Sequence, residues 1–160
     1  MKKLILSLVL ISSLVSCNND TEETVNFYID NNFDLLVESS DGTDLLDPSN
    51  SNSYNQKNLS IYYILNGEKK QTDYSIVLLE NGETKQYALR VMQYNYASSD
   101  VITYIKWDET NTDVIKTNYK SGNNYVVCSK ISYNDEVVYD QDNGIYATSP
   151  FGEKKIKVVK

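Results

Sequence analysis

Apolar and polar residues alternate along most of this chain with a period of two, which is the pattern of β-strands that bury one face. In residues 33–39, Phe33, Leu35 and Val37 alternate with other side chains. No stretch of ten or more residues shows the 3.6-residue period of a helix. Runs that predict strands cover residues 24–30, 33–39, 59–65, 74–80, 83–94, 100–107, 112–120, 124–133, 136–140 and 154–160.

Turn signals separate these runs, and two of them are Asn-Gly pairs. Asn66-Gly67 and Asn81-Gly82 follow apolar runs, and both residue types tolerate the positive φ angles of a type I′ hairpin turn. The surrounding segments are similar, because residues 60–71 read SIYYILNGEKKQ and residues 75–86 read SIVLLENGETKQ. Two copies are too few for a repeat architecture, so we predict adjacent hairpin arms that use the same turn chemistry.

The composition favours sheets over helices. The chain of 160 residues contains 14 tyrosines, only two prolines and few alanines, and tyrosine suits half-buried pleated surfaces. About nine or ten short strands with polar turns predict an all-β fold, namely a single, mostly antiparallel β-sandwich of the immunoglobulin-like kind. We predict that Trp107, at the end of VITYIKW, is a buried core aromatic; stacking on a ligand is the alternative.

The N-terminus has the organisation of an export signal. Lys2 and Lys3 precede an apolar run over residues 4–15, which is shorter than the roughly 20 residues needed to span a bilayer. Residues 14–17, LVSC, resemble the lipobox of bacterial lipoproteins, in which a peptidase cuts before the cysteine and the cysteine is acylated. The resemblance implies a signal peptide over residues 1–16, lipid attachment at Cys17, an acidic tether over residues 17–24 and a domain over residues 25–160.

Longer stretches resemble a group of small, uncharacterised lipoproteins of the Bacteroidetes type. They are residues 44–67, DLLDPSNSNSYNQKNLSIYYILNG, and residues 126–140, VVCSKISYNDEVVYD. The tether is similar to the acidic stretches that follow the lipidated cysteine in surface-exposed lipoproteins of this type. The resemblance implies an outer-membrane protein anchored by acyl chains such as palmitate, at the cell surface rather than on the periplasmic face.

The chain lacks the residues of the common catalytic centres. It has no histidine for a triad or a zinc site, no glycine-rich phosphate loop and no Gly-x-Ser-x-Gly elbow. Cys128 is therefore predicted to be a small buried hydrophobe. The formal net charge of −7 argues against nucleic acid as a partner. We predict a non-enzymatic protein that needs no cofactor; a small glycan hydrolase with paired carboxylates is the alternative from another class.

A calcium site is the one cofactor alternative, in the stretch SSDGTDLLDP of residues 39–48 or in DQDNG of residues 140–144, which equally resembles a turn. Calcium prefers oxygen ligands, and the first stretch carries an acid at every third position around Gly42. An EF-hand instead places ligands at alternate positions, and two leucines interrupt the loop. Asp41-Gly42 also has the chemistry of a tight hairpin turn, after which residues 43–46 can pair back. We predict the turn; the calcium alternative would use Asp41, Asp44 and Asp47.

The loop of residues 93–100, QYNYASSD, is the candidate for ligand binding. It places Tyr94 and Tyr96 beside amides and a carboxylate, which suits stacking on sugars and polar recognition. With Trp107 these tyrosines form the predicted ligand set. The predicted function is that of a membrane-anchored lipoprotein whose β-sandwich binds or scaffolds a protein or glycan partner; a glycan-binding or calcium-assisted adhesion module is the alternative.

Overall fold

The computed structural model describes residues 26–54, 58–93, 100–147 and 149–160, which form eleven β-strands. The all-β prediction is confirmed. Among these residues there is no helix with the length and apolar character needed to cross a membrane. The strands are β1 (Tyr28–Asp30), β2 (Asn32–Glu38), β3 (Ser60–Leu65), β4 (Glu68–Gln71), β5 (Tyr74–Asn81), β6 (Thr84–Met92), β7 (Asp100–Lys106), β8 (Thr112–Ser121), β9 (Tyr125–Tyr133), β10 (Glu136–Asp140) and β11 (Lys155–Val159).

The strands form two mostly antiparallel sheets, consistent with the predicted β-sandwich. The larger sheet has the order β1-β9-β8-β7-β3-β4, and β10 also pairs with β9. The smaller sheet has the order β11-β2-β6-β5. Two pairs are parallel, β1 with β9 and β2 with β11. Asn31 alone separates β1 from β2, so the chain changes sheet at this residue.

The core lies between the sheets and is filled by the alternating residues of the strands. Phe33, Leu35 and Val37 of β2 belong to it, as their spacing predicted, and Ile156 and Val158 of the neighbouring β11 join them. On β7 the buried and more exposed positions alternate without interruption, as expected of a strand with one face in the core. This burial supplies roughly 1.5 to 3 kcal/mol for each large apolar side chain.

The two Asn-Gly hairpins use different turns in spite of their similar sequences. Between β3 and β4 the turn residues are Asn66 and Gly67, with φ angles of 53° and 80°, which confirms the predicted type I′ turn. In the second hairpin the last residue of β5, Asn81, pairs with Thr84. The turn residues there are Gly82 and the residue after it, and only Gly82 has a positive φ, 61°, as in a type II′ turn.

The prediction of adjacent hairpin arms with a shared turn is therefore wrong, because the two hairpins lie in different sheets. Strand pairing explains the difference in turn type. A turn centred on Asn81 and Gly82 would have placed Glu80 opposite Glu83, two like charges on neighbouring strands. In the observed register Glu80 lies opposite Lys85, and their side chains form a 2.6 Å ion pair. The pairing of the whole hairpin thus overrides the local preference of the dipeptide.

One strand, β4, was absent from the prediction. Its four residues, EKKQ, are all exposed and include no apolar side chain, so they show no alternation. The chain pairs with β3 at this point because the type I′ turn returns it directly along the preceding strand. The other ten strands overlap the ten predicted runs.

Candidate functional site

Trp107 lies in the core and not at a ligand surface. Its exposed fraction is 0%, and its ring packs against that of Tyr54 with 4.9 Å between the centroids. Its indole nitrogen donates a 2.5 Å hydrogen bond to Oδ2 of Asp113. The prediction of a core aromatic is confirmed, and the buried ring has no exposed face on which a ligand could stack in this structure.

The partner of Trp107, Asp113, is the centre of a buried polar cluster. Its carboxylate is 4% exposed, and Lys160, which follows β11, is its counter-ion. Burial raises the pKa of Asp113, but hydrogen bonds outweigh this effect and leave the pKa below its ordinary value. The carboxylate therefore ties the smaller sheet to the larger one. The donors to it are Trp107, Tyr133, Asn134 and Lys160.

Tyr94 and Tyr96 lie outside the described residues, whereas Gln93, directly before them in the sequence, is well anchored. Gln93 is 2% exposed, and its main-chain N–H donates a 3.0 Å hydrogen bond to the carbonyl of Asn31. Its side-chain amide is satisfied inside the sandwich by three hydroxyl groups. These belong to Thr103 (2.8 Å), Thr117 (2.5 Å) and Tyr119 (2.5 Å).

The stretch of residues 39–48 forms the predicted tight turn. Gly42 has a φ of 85°, and its N–H donates a 2.9 Å hydrogen bond to the carbonyl of Ser39. Glu38 then pairs with Asp44 in an antiparallel bridge, so the chain returns along the end of β2 as predicted. Leu46 is buried and anchors the returning segment.

Each of the three aspartates of this stretch accepts hydrogen bonds from within the domain. Hydrogen bonds from Ser39 and Thr43 lower the pKa of Asp41 to about 2. Asp44 accepts 2.8 Å bonds from the N–H groups of Leu46 and Tyr87, which joins the turn to β6. Asp47 accepts 2.8 Å bonds from the N–H and the hydroxyl of Ser49. Within the described ranges no group of three His, Cys, Asp or Glu side chains is arranged to hold a metal ion.

The two cysteines have different positions relative to the structure. Cys17 lies outside the described residues. Cys128 is 2% exposed on β9, and burial raises the pKa of its thiol to about 11. The predicted role of Cys128 as a buried small hydrophobe is confirmed, because a thiol with a raised pKa forms little of the reactive thiolate.

A candidate binding surface lies instead on the outer face of the larger sheet, and we call it the tyrosine face. Tyr62 of β3 and Tyr104 of β7 are opposite each other, and their rings stack with 5.1 Å between the centroids and an angle of 13°. Ile64 and Ile102, two residues along each strand, are 48% and 43% exposed. Lys69 of β4 completes the face, which therefore consists of Tyr62, Ile64, Lys69, Ile102 and Tyr104.

Lys69 and Tyr104 hold the ring of Tyr62 between them. Because β3 lies between β4 and β7, Lys69 reaches the ring from one side and Tyr104 from the other. The ammonium nitrogen of Lys69 is 3.8 Å from the centroid of the ring, within the range of a cation–π interaction. Both faces of the Tyr62 ring thus make contacts within the domain.

The surroundings of the tyrosine face are shallow and polar. A hollow of about 160 Å³ lies against Ile64, Ile102 and Tyr104, which is below the 300 Å³ or more that usually enclose a small-molecule ligand. A second, open hollow of about 500 Å³ borders Lys69 and is lined by polar or charged residues. An apolar centre with a polar border is the anatomy of a surface that meets another macromolecule rather than an enclosed ligand.

The sequence offered only a weak signal for this surface. The run SIYYIL contains two adjacent tyrosines, and in a strand one of them faces the core while the other faces outward. The sequence does not show which of the two tyrosines faces outward. The position of Tyr104 beside Tyr62 depends on pairing between strands that are far apart in sequence. The sequence prediction therefore places two of its three candidate ligand residues in a loop and does not include Tyr62 or Tyr104.

The outer face of the smaller sheet contains a buried, paired charge. Asp34 is 0% exposed there, between Arg90 of β6 and Lys155 of β11. Arg90 donates two hydrogen bonds of 2.9 Å to its carboxylate. Burial raises the pKa of Asp34, but the hydrogen bonds from Arg90 and Lys155 outweigh this effect, and the pKa lies below its ordinary value. These charges are satisfied within the domain.

Comparison with known proteins adds no family to this description. No protein-family model, no curated protein and no solved structure matches the chain.

Proposed function

We propose that this protein is a non-enzymatic lipoprotein of the outer membrane, anchored through Cys17, whose β-sandwich binds a macromolecular partner at the tyrosine face. The observation that carries the proposal is the exposure of Ile64 and Ile102 beside a stacked tyrosine pair. An outward face of an antiparallel sheet is normally polar, since it meets water. Apolar side chains that are left uncovered there gain free energy when a partner buries them.

The make-up of the tyrosine face suits recognition. Tyrosine is enriched among the residues that contribute most to binding, because its ring buries a large area and its hydroxyl forms hydrogen bonds. The stack of Tyr62 on Tyr104 also limits the rotamers of both rings before binding. A surface that is already ordered loses less entropy when its partner arrives.

A protein partner fits this surface better than a glycan. Sugars stack on an open ring face, whereas Tyr62 has Tyr104 on one side and Lys69 on the other. The exposed isoleucines provide branched apolar contacts of the kind that protein interfaces bury. Glycan binding at this face is the second candidate, favoured by the tyrosine hydroxyls and by the polar hollow next to Lys69.

The buried carboxylates support a role without catalysis. A carboxyl group that acts as a general acid usually has a raised pKa, as in glycoside hydrolases. Asp34, Asp113 and Asp140 are buried and each has a cationic partner, and the pKa of each is lowered. These three groups thus have the properties of structural anions.

The anchor is supported by the lipobox and by the spacing between it and the domain. Cys17 precedes the first described residue, Asn26, by nine positions, which span at most about 30 Å. A domain on such a tether stays close to the membrane that holds its acyl chains. We expect labelled palmitate to be incorporated into the protein, and we expect Cys17→Ser to abolish the label and release the protein from the membrane fraction.

Site-specific cross-linking in living cells tests the binding surface. A photoreactive residue at position 64 lies on the tyrosine face, whereas one at position 28 replaces a tyrosine that is 61% exposed at the opposite edge of the same sheet. We expect a discrete adduct from position 64 that disappears when Tyr104→Ser is added. An equal yield from position 28, or an adduct that Tyr104→Ser leaves unchanged, would show that the partner binds elsewhere.

Affinity gels separate the two partner classes. The soluble chain from Asn18 onward is run through gels that contain a panel of polysaccharides. Retardation that is lost in Tyr104→Ser but kept in Tyr28→Ser would favour the glycan candidate. A protein identified in the position 64 adduct, together with unchanged migration in every gel, would favour the protein partner.

A further inference from the structure

The edge strands of the two sheets differ in how well they are protected against pairing with a strand of another chain. An edge strand exposes unpaired N–H and C=O groups, and proteins normally protect it with short length, lysines or bulges. In the larger sheet β4 has four residues, two of them lysines, β1 has three residues, and β10 contains a register shift. In the smaller sheet β11 carries Lys155 and Lys157. Each of these strands has at least one protective feature.

The remaining edge strand, β5, has none of these features. It is eight residues long, YSIVLLEN, with no proline, no lysine and an unbroken register against β6 from Tyr74 to Asn81. Its only charged residue, Glu80, is neutralised by Lys85 of β6. Within the described part of the chain β5 pairs with β6 alone. Leu78, near the end of the strand, is 45% exposed.

The hydrogen bonds of the hairpin define which groups of β5 point outward. The N–H of Met92 donates a 3.0 Å bond to the carbonyl of Asp73, so the residues of β5 that bond to β6 are the odd-numbered ones. The N–H and C=O groups of the even-numbered residues therefore point away from β6. In the middle of the strand these residues are Ile76 and Leu78.

A second copy of the same strand is complementary to this edge. Antiparallel strands related by a two-fold axis at Val77 place Ile76 opposite Leu78 of the other copy, and these residues carry the outward N–H and C=O groups that a ladder needs. Val77 lies opposite itself. Glu80 then faces Tyr74, so no like charges are opposed. The pairing also covers the exposed side chain of Leu78.

We propose that two copies of this protein associate through β5, so that the smaller sheets join into one continuous sheet across a two-fold axis. This inference goes beyond the proposed function, because the tyrosine face belongs to the other sheet and is left free in both copies. The dimer would then present two tyrosine faces on one assembly. Two linked sites increase the apparent affinity for a partner that can engage both.

Charged substitutions at Val77 test the association and its register. The chain from Asn18 onward contains the whole described core and lacks Cys17, so acyl chains cannot aggregate it. We expect sedimentation velocity to give a mass of two chains for this protein. Val77→Lys and Val77→Glu should each sediment as one chain, because each places like charges opposite each other at the axis. Mixing the two variants should restore the mass of two chains.

Amide hydrogen exchange distinguishes loss of the dimer from loss of the fold. In the unsubstituted protein we expect protection of the outward amides of Ile76 and Leu78 and of the inward amides of Ser75 and Val77. In Val77→Lys only the outward pair should lose protection. The proposal is overturned if the unsubstituted chain has the mass of one chain, or if Val77→Lys keeps the mass of two chains. It is also overturned if mixing the two charged variants does not restore the mass of two chains.

Discussion

The outer faces of the two sheets differ in the contacts that their side chains make within the domain. On the smaller sheet Asp34 is buried beneath Arg90 and Lys155, so the charges of that face are paired within the domain. On the larger sheet the tyrosine face leaves Ile64 and Ile102 exposed. The first face also exposes Val159 (60%) and Met92 (38%), whereas the second combines its exposed isoleucines with a stacked tyrosine pair and gains free energy when this set is covered. A buried, paired charge thus distinguishes the outer face of the smaller sheet, and a stacked tyrosine pair beside two exposed isoleucines distinguishes that of the larger sheet.

The largest effect should follow from Asp34→Asn. The substitution removes the anion and leaves Arg90 and Lys155 close together without a counter-charge. We expect the free energy of unfolding to fall by about 3 kcal/mol, near the lower end of the range for buried pairs, because the two cations are partly exposed. Urea unfolding followed by circular dichroism measures the change.

An ion pair on the outer face of the larger sheet provides the matched control. Asp135 pairs with Lys116, but its side chain is 81% exposed. Exposed pairs contribute little to stability, so Asp135→Asn should leave the urea midpoint unchanged. Equal losses in Asp34→Asn and Asp135→Asn would contradict the distinction between the two faces.

Acid should destabilise the protein through its buried carboxylates. The pKa values of Asp34 and Asp113 lie below the unfolded value of about 3.9, so the unfolded state binds more protons as the pH falls. The stability that these groups contribute is complete above that unfolded pKa and is lost as the pH falls through the folded pKa. We expect Asp34→Asn to unfold with a weaker pH dependence below about pH 4.

Acid titrations of two variants check this expectation. Tyr62→Ser removes no carboxylate, so its free energy of unfolding should depend on pH as steeply as that of the unsubstituted protein. A slope in Asp34→Asn that equals the slope in Tyr62→Ser would show that Asp34 is not the group that titrates.

A smaller effect is expected for the aromatic stack. A double-mutant cycle with Tyr62→Ser and Tyr104→Ser should give a coupling of about 1 kcal/mol, which is typical of aromatic pairs. Binding to the cross-linked partner should fall much more than stability does, because the face is exposed. A coupling of zero would mean that the two rings do not stack in solution.

The smallest effect is expected for Lys69→Gln. Loss of the cation–π contact with Tyr62 should lower the free energy of unfolding by at most about 0.5 kcal/mol. Lys70→Gln is the control, since Lys70 follows directly on β4 and pairs with the exposed Glu68 at 2.6 Å. Urea midpoints measured side by side compare the two, and a larger loss in Lys70→Gln would contradict the role of Lys69.

The two hairpins show how far the local sequence alone determines the type of a turn. Asn66-Gly67 fixed both the position and the type of its turn, because the positive φ angles of these residues are a local preference. The same dipeptide at Asn81-Gly82 predicted the wrong turn type, since eight pairs between β5 and β6 set the register. The pairing of the two strands along their whole length decided what the turn residues alone could not.

The candidate site was less predictable than the fold. The interpretation of Trp107 as a core residue was right, because a large aromatic after an alternating strand has a place in the core. Tyr62 and Tyr104 were missed. The alternation of a strand predicts that one of its faces is exposed, but it does not predict which strands lie side by side. Cys17 lipidation, Tyr94 and Tyr96 stay predictions, as they lie outside the described residues.

The sequence by itself determined the all-β class, ten of the eleven strands, the inward positions of β2 and the turn after Ser39. These follow from side-chain period and backbone preference, which act over a few residues. Only the tertiary structure decided the strand order, and with it the stacking of Tyr62 on Tyr104, the pairing of Asp34 and the unprotected edge at β5. The strand order depends on contacts between distant segments, which form where the sheets together bury one core.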